Sequence, residues 1–192
     1  MNIGLFFGTF NPVHIGHIAI AGYMAEFTDL NQVWFVVSPH NPLKEKKFLL
    51  SDAQRVRLVK MAIYGQHKKL KVSDVELKLS QPSYTVNTLA FLKNKFRQHT
   101  FSIIIGHDNL ESFPLWKNYK EILDNHRVFV YPRTSSFKGT LIKHRNIVFT
   151  DAPLMEISST FIRKAIRDKK DVGFLLPAGI GEIIRKEKYY KV

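Results

Sequence analysis

The chain has 192 residues, of which 45% are apolar and 15 are phenylalanine, a composition typical of one globular domain with a sizeable core. The absence of cysteine excludes disulfide bonds, thiolate nucleophiles and cysteine zinc sites. The formal charge of +13 favours anionic partners such as phosphorylated small molecules, acidic lipid or nucleic acid, although a solvated lysine-rich surface accounts for it equally well.

The distribution of apolar and basic residues along the chain narrows the range of possible partners. No apolar run is long enough to span a bilayer, and the first apolar stretch breaks at Gly8 without the basic region of a signal peptide. The basic residues are dispersed, and their densest groups also carry glutamate, which argues against dedicated nucleic-acid binding. We therefore expect a single domain over residues 1–192 in a reducing cytoplasm, with neither a membrane nor a nucleic acid as partner.

Strand-like and helix-like segments alternate along the whole chain. The helix near residue 51 has the clearest signal, because Ser51 and Gln54 fit a capping box. In chain order, the sequence predicts strands at 2–8, 32–38 and 70–77 alternating with helices at about 14–27, 51–65 and 83–96, then strands at 100–106, 127–133 and 146–151, and helices at 158–168 and 177–190.

This alternation predicts an α/β fold with a doubly wound, mostly parallel sheet covered on both faces. The strand at 100–106 is nearly all apolar, as a strand buried on both faces should be. Ligands bind such sheets beyond the carboxyl ends of the strands. Five segments with polar or small residues lie just after predicted strands or at the start of the following helices. They are 8–17, 38–44, 83–85, 106–116 and 157–163.

The first of these segments, GTFNPVHIGH, predicts a phosphate site. Gly8 lets a ligand approach the backbone, and Pro12 stiffens the turn. His14 and His17 are three residues apart at the start of a helix, so both imidazoles can share a face beside the free N–H groups of the helix terminus. Two alternatives are structural histidines that cap a turn and a metal site, for which no cysteine or nearby glutamate completes the ligands.

The last segment, ISSTFIR, predicts a second anion cradle. Either Ser158 or Ser159 can cap the helix, and Ser159 and Arg163 are four residues apart on one face. Alone this pattern is common among capped helices. Together, two cradles suggest a polyphosphate held across the sheet edge. Since the chain has no cysteine and no GxSxG elbow, the predicted chemistry is direct displacement at phosphorus by a bound phosphate.

These motifs carry a resemblance to a known family. GTFNPVHIGH matches the (H/T)xGH signature of nucleotidylyltransferases, and ISSTFIR matches their late ISSTxxR signature. With SPHNPLK, PSYTVNTL and IIGHDNLESFPLW between them, the chain resembles bacterial nicotinate-mononucleotide adenylyltransferases over nearly its whole length. The resemblance implies a Rossmann-like nucleotidylyltransferase fold. It also implies adenylyl transfer from ATP to nicotinate mononucleotide with Mg²⁺, which gives deamido-NAD and pyrophosphate in NAD biosynthesis.

The resemblance also implies roles for individual residues. His14, His17 and Arg163 would be catalytic, with Ser159 and Arg163 on the β and γ phosphates. The mononucleotide would contact Lys44, Tyr84, Thr85 and Trp116, with Trp116 stacked on the pyridine ring. The implied ATP-binding set is Gly8, Thr9, Phe10, His14, His17, Gly106, Asp108, Ile157, Ser158, Ser159 and Arg163. No residue is predicted to ligate a metal directly.

Some of these residues have simpler interpretations. Trp116 could be an ordinary core residue, Lys44 a solvated lysine and Asp108 a helix cap. The sequence also departs from the family pattern at three positions, where Phe7 replaces a glycine and Asn11 and Asn87 replace aspartates. Asn11 keeps the ability to hydrogen-bond but loses the charge that would bind a metal.

Three other functions compete with this interpretation. Phosphopantetheine adenylyltransferases share the chemistry but are usually shorter and are not expected to carry the SYT motif. Cytidylyltransferases share the histidine signature but lack ISSTFIR in this form. In a basic nucleic-acid-binding module, the two histidines would have no role. The sequence leaves open the oligomeric state and the strictness of selection for nicotinate over nicotinamide mononucleotide.

Overall fold

A computed structural model of the protein describes residues 1–39, 48–65, 67–133 and 140–191. Its centre is a six-stranded sheet with the strand order β3-β2-β1-β4-β5-β6. The strands are β1 (Asn2–Gly8), β2 (Gln32–Val37), β3 (Leu70–Ser73), β4 (Thr100–Gly106), β5 (Val128–Tyr131) and β6 (Ile147–Phe149). Every neighbouring pair is parallel, which confirms the prediction of a doubly wound α/β fold.

Across the described residues, eight α-helices flank the sheet, with short 3₁₀ turns at Phe113–Leu115, Thr140–Lys143 and Gly173–Leu175. The helices are α1 (Ile15–Phe27), α2 (Asp52–Ile63), α3 (Val75–Lys78), α4 (Thr85–Lys95), α5 (His107–Ser112), α6 (Tyr119–Asn125), α7 (Ser159–Arg167) and α8 (Ile180–Lys186). Among the described ranges, none of these helices combines the length and hydropathy that crossing a bilayer requires.

Three sequence predictions about these elements need correction. The strand predicted at 70–77 ends at Ser73, whose hydroxyl accepts a 3.4 Å hydrogen bond from the Val75 N–H at the start of α3. Helices α5 and α6 were not predicted, because each is only one or two turns long. The final helix is shorter than predicted, since Gly179 before it and Lys188 after it both have left-handed backbones, with φ of 76° and 53°.

Apolar side chains cover both faces of the sheet. Alternate residues of β1 point to opposite sides, so Phe6 belongs to the core beneath α1, α2, α7 and α8, and Leu5 belongs to the core beneath α4, α5 and α6. The order of the strands reverses between β1 and β4, which pair in register from Asn2 with Thr100 to Phe6 with Ile104. The carboxyl ends of these two strands, at Gly8 and Gly106, therefore form the switch point where ligands bind in such sheets.

Candidate active site

A cavity of about 520 Å³ opens at this switch point. Its walls come from the loop after β1, the end of β4, the segment before α6 and the first turn of α7. Most of the site residues predicted from the sequence lie in these walls. They are Gly8, Thr9, Phe10, His14, His17, Gly106, Trp116, Ile157, Ser158, Ser159 and Arg163. The two predicted phosphate cradles, from opposite ends of the chain, therefore meet in one cavity.

Three residues that the sequence predicted for the site are absent from these walls, and a fourth lies outside the residues that the structure describes. The carboxylate of Asp108 turns toward the guanidinium of Arg133, with Nη1 and Oδ2 3.1 Å apart, and the neighbouring Asn109 lines the cavity instead. Tyr84 and Thr85 lie where α4 begins, and the Lys117 Nζ stands 4.3 Å from the centre of the Tyr84 ring. The fourth residue, Lys44, lies outside the described residues.

The two histidines form a stacked pair at the start of α1. Their ring centres are 3.6 Å apart, and the rings are inclined by 26°. The backbone N–H of His14 donates to Nδ1 of His17 at 3.2 Å, so neutral His17 carries its proton on Nε2. The rings of Phe10 and His17 pack nearly perpendicular to each other, with ring centres 5.0 Å apart. A Cβ at Gly16 would lie 3.2 Å from Nδ1 of His14, which explains the glycine between the histidines.

Burial keeps both imidazoles neutral near pH 7. It lowers the pKa of His14 to about 4, with a further contribution from the positive charge of Arg133. The pKa of His17 is also well below its usual range, because of burial first and then the proximity of His14 and Arg133. The pair therefore presents neutral N–H groups to the cavity in the absence of a bound anion.

The late motif clamps the start of α7 to the loop after β1. The hydroxyl of Ser158 caps the helix by accepting from the N–H of Phe161 at 3.1 Å. The Ser159 hydroxyl donates to the carbonyl of Pro12 at 2.9 Å, and Nη1 of Arg163 donates to the carbonyl of Asn11 at 2.8 Å. The N–H groups of the first turn of α7 and the rest of the Arg163 guanidinium are thus held beside the histidines.

The sequence reasoning missed Arg55, which is fully buried in α2 behind the same loop. Its Nη1 donates to the carbonyls of Thr9 and Ser38, both at 2.7 Å, and its Nη2 pairs with Asp52. Arg55 therefore joins the segments that follow β1 and β2. The sequence does contain a sign that Arg55 is buried. Arg55 lies at helical spacing from Leu58, Val59 and Ala62, on the apolar face of α2.

Asn11, which replaces an aspartate of the family pattern, joins three segments of the chain. Its Nδ2 donates to the carbonyl of Phe48 at 3.1 Å, and its Oδ1 accepts from the N–H of Leu50 at 3.2 Å and from the hydroxyl of Tyr190 at 2.9 Å. An aspartate at this position could not donate to Phe48. The asparagine is therefore explained by packing of the loop.

Arg133, two residues after β5, was also missed. It lines the cavity and interacts with the histidine pair and with Asp108. Arg133 and Arg163 are the charged side chains in the walls of the described cavity. The arrangement of two guanidiniums, two neutral imidazoles and the N-termini of α1 and α7 is suited to an anion with several negative charges.

Comparison with known proteins places this geometry in context. A family model described as cytidylyltransferase-like matches residues 5–165. The chain is 54% identical to a protein of Flavobacterium psychrophilum named probable nicotinate-nucleotide adenylyltransferase, and the match covers all of both chains. Proteins of the same name from Flavobacterium johnsoniae and Bacteroides fragilis are 51% and 42% identical, covering 100% and 95% of this chain and 100% and 91% of theirs.

Solved structures with the same fold are more distant in sequence. The chain is similar to the nicotinic acid mononucleotide adenylyltransferase of Plasmodium falciparum complexed with NaAD, with a TM-score of 0.81, 19% identity and coverage of 98% and 97% of the two chains. The same enzyme complexed with APC gives a TM-score of 0.80, 18% identity and coverage of 98% and 96%. At this identity the likeness concerns the fold alone.

Proposed function

The chain belongs to the cytidylyltransferase-like family and, within it, to the nicotinate-nucleotide adenylyltransferases, and from this premise we propose that it transfers the adenylyl group of ATP to nicotinate mononucleotide. The products are deamido-NAD, formed in NAD biosynthesis, and pyrophosphate. The proposal rests on the hydrogen bonds that hold the two predicted phosphate sites together. Ser159 and Arg163 donate to the loop that leads to the stacked histidines.

We propose an in-line displacement at the α-phosphorus of ATP. A phosphate oxygen of the mononucleotide forms the new bond to phosphorus, and the bond to the bridging oxygen breaks, so pyrophosphate leaves with the electron pair. The attacking phosphate is already an anion and needs no general base. The protein contributes alignment and neutralisation of the charge on the oxygens around phosphorus.

The histidines are placed to act on that charge. The Nε2–H of neutral His17 can donate to a phosphate oxygen, together with the N–H groups at the start of α1. Phosphate charge beside the rings favours their protonated forms and so opposes the effects of burial and Arg133 on the pKa of each histidine. Arg163 and the first turn of α7 would hold the β and γ phosphates as pyrophosphate forms.

We propose that Mg²⁺ enters as part of the ATP complex, where it would neutralise phosphate charge. Across the described residues, no group of three or more histidine, aspartate and glutamate side chains could hold a metal ion. The carboxylate of Asp108 is already bonded to Arg133. These side chains alone do not form a magnesium site, whereas Mg²⁺ commonly takes most of its ligands from substrate phosphates and water.

For the acceptor, we propose that the pyridine ring stacks on Trp116. This indole is half-buried, lines the cavity and packs against Phe113 with ring centres 5.0 Å apart. Tyr84 and Thr85 open α4 near Lys117, the residue after Trp116. The N–H groups of this helix terminus can donate to both oxygens of the nicotinate carboxylate, whereas a carboxamide NH₂ would face another donor.

The test is pyrophosphate release from ATP with nicotinate mononucleotide, nicotinamide mononucleotide and phosphopantetheine as acceptors. We expect kcat/KM for the nicotinate compound to exceed that for the nicotinamide compound by about tenfold or more. Trp116→Ala should weaken both pyridine substrates and leave their ratio nearly unchanged. Trp34→Phe is the control, since Trp34 lies in β2 with its Nε1 bonded to Gln32. Preference for phosphopantetheine, or no release with either mononucleotide, would contradict the proposal.

A further inference from the structure

A second cavity, of about 680 Å³, lies between the end of α7, residues 169–176 and α8. No residue in its walls belongs to the walls of the candidate active site. Its volume falls within the range of cavities that hold small organic molecules. The proposed adenylyl transfer uses none of its residues, so this cavity has no function in the reaction described above.

The rim of the second cavity is strongly basic. It carries five cationic side chains and one carboxylate, Asp171, whose Oδ1 already accepts from the N–H of Gly173 at 2.9 Å. Within the ranges that the structure describes, none of the five cations has a carboxylate partner, although Arg167 lies over the ring of Phe48 at 4.7 Å. The five are Arg167, Lys169, Lys170, Arg185 and Lys191.

The floor of the same cavity is apolar. Val172, Leu176 and Ile184 are buried there, and Ile166 is partly buried beside them. An apolar floor under a basic rim is unsuited to a free inorganic anion, which would gain nothing from the floor. It suits a molecule with an apolar or aromatic body and anionic groups at its edge, because burial of the body and charge pairing then act together.

Gly181 leaves space in this cavity. A Cβ at Gly181, inside α8, would meet only wall atoms at ordinary contact distance: Leu176 Cδ1 at 3.7 Å, Gly173 Cα at 3.8 Å and Arg185 Nη1 at 3.9 Å. The φ of Gly181 is not in the left-handed region, so the backbone does not require glycine there. A larger side chain at this position would occupy the cavity.

We propose that the second cavity binds a small organic anion with an aromatic or apolar body, a class that includes nucleotides. The proposal depends on the basic rim, the apolar floor and the space beside Gly181. It does not depend on the adenylyltransferase reaction, and its test therefore measures binding at the cavity rather than activity.

The probe is anilinonaphthalene sulfonate, an aromatic anion, titrated into the full chain while backbone amide chemical shifts are followed by nuclear magnetic resonance. We expect saturable shifts at Gly173 and Gly181, separate from any shifts at Gly8 and Gly106 in the candidate active site. The uncharged analogue phenylnaphthylamine should bind about tenfold more weakly, since it lacks a group to pair with the rim. Pyrophosphate, which lacks an aromatic body, should bind more weakly than adenosine diphosphate.

Three variants separate the features of the site. Gly181→Leu fills the cavity and should abolish the shifts, whereas Gly181→Ala should retain most of the binding and should show that the helix tolerates a side chain. Lys170→Glu with Arg185→Glu should weaken binding at least tenfold. The matched control is Lys68→Glu with Lys71→Glu, two exposed lysines at the β3 edge of the sheet, which should leave binding unchanged.

Several outcomes would overturn the proposal. Shifts confined to Gly8 and Gly106 would place the probe in the active site. Equal affinity for the neutral analogue would show that the negative charge of the ligand contributes nothing to binding. The protein could also bind a single-stranded oligonucleotide equally well with and without Gly181→Leu, while the small probe does not bind. That result would show that the basic rim acts as an open surface and not as part of a cavity.

Discussion

The hydroxyl of Tyr190 donates a 2.9 Å hydrogen bond to Oδ1 of Asn11, although 179 residues separate them along the chain. Both side chains are buried, at 4% exposure each. Asn11 stands in the loop that carries the histidines, and its own carbonyl accepts from Arg163. The segment after α8 therefore supports the loop that forms one wall of the candidate active site.

Tyr190→Phe should lower the free energy of unfolding by about 1 kcal/mol, because it removes one buried hydrogen bond while Oδ1 of Asn11 keeps the N–H of Leu50. Urea unfolding measures this change. The control is Tyr189→Phe, whose hydroxyl has no hydrogen bond recorded among the described residues, and which should change stability by less than about 0.5 kcal/mol. Equal effects of the two substitutions would show that the bond to Asn11 contributes nothing.

Arg55→Lys should lower both stability and kcat/KM. A lysine cannot reach the two carbonyls of Thr9 and Ser38 and the carboxylate of Asp52 in one planar arrangement. We expect a loss of about 2–4 kcal/mol in the free energy of unfolding from the unpaired buried groups. In the folded fraction, kcat/KM for ATP should fall about tenfold, since the loop after β1 loses its support. Arg57→Lys, an exposed residue of the same helix, should change neither quantity.

His17→Ala should lower kcat by about 10²-fold or more, because the Nε2–H donor that meets the developing phosphate charge is lost. Thermal unfolding of the variant should remain cooperative. His126→Ala provides a contrast, since His126 bonds to the Phe101 carbonyl away from the cavity. That variant should lose stability and keep its kcat. A folded His17→Ala enzyme with nearly normal kcat would remove this histidine from the mechanism.

His14 should make the protein less stable in acid. The lowered pKa of about 4 in the folded state lies below the ordinary value of 6.5, so the unfolded state binds more protons between these values, and stability falls as pH falls through that window. At about pH 5 the loss from this residue is about 2 kcal/mol relative to about pH 7.5. Urea unfolding at both pH values should show a smaller loss for His14→Asn. An identical loss in wild type and variant would mean that His14 titrates normally.

Arg133→Gln should raise the pKa of both histidines, because the positive charge of Arg133 opposes their protonation. Burial would still hold both pKa values below the ordinary value. The imidazole resonances, followed by nuclear magnetic resonance during an acid titration, report this change directly. Arg145→Gln, an exposed residue elsewhere, should leave the titration of His14 unchanged. A fall in the His14 pKa in Arg133→Gln would contradict the described electrostatics.

Local patterns predicted much of this fold. The capping box at Ser51 and Gln54 is confirmed in both directions, with N–H to side-chain oxygen distances of 2.9 and 3.3 Å. Segment alternation predicted the parallel sheet, because periodicity and strand ends are properties of neighbouring residues. The sequence pattern predicts that the third strand continues to residue 77, although it ends at Ser73. Val72 and Val75 suit either a strand or a helix, so the pattern does not mark the boundary.

The supports of the site were harder to predict because they join distant residues to backbone carbonyls. Nothing in the spacing of Arg55 identifies the carbonyls of Thr9 and Ser38 as its acceptors. The same holds for Asn11 and Tyr190, whose contact exists only after both chain ends reach the sheet edge. Arg133 carries no motif, and its influence on the histidines depends on where β5 ends.

The clamp between α7 and the loop after β1 also has a consequence for protein synthesis. Ser159 and Arg163 follow their acceptors, Pro12 and Asn11, by 147 and 152 residues. At typical translation rates of about 5–20 residues per second, a ribosome needs roughly 7–30 s to add the intervening chain. During that interval the nascent protein can pair β1 with β2 and β4, but it cannot complete the walls of the candidate active site. Catalytic competence therefore arrives late, with the last quarter of the polypeptide.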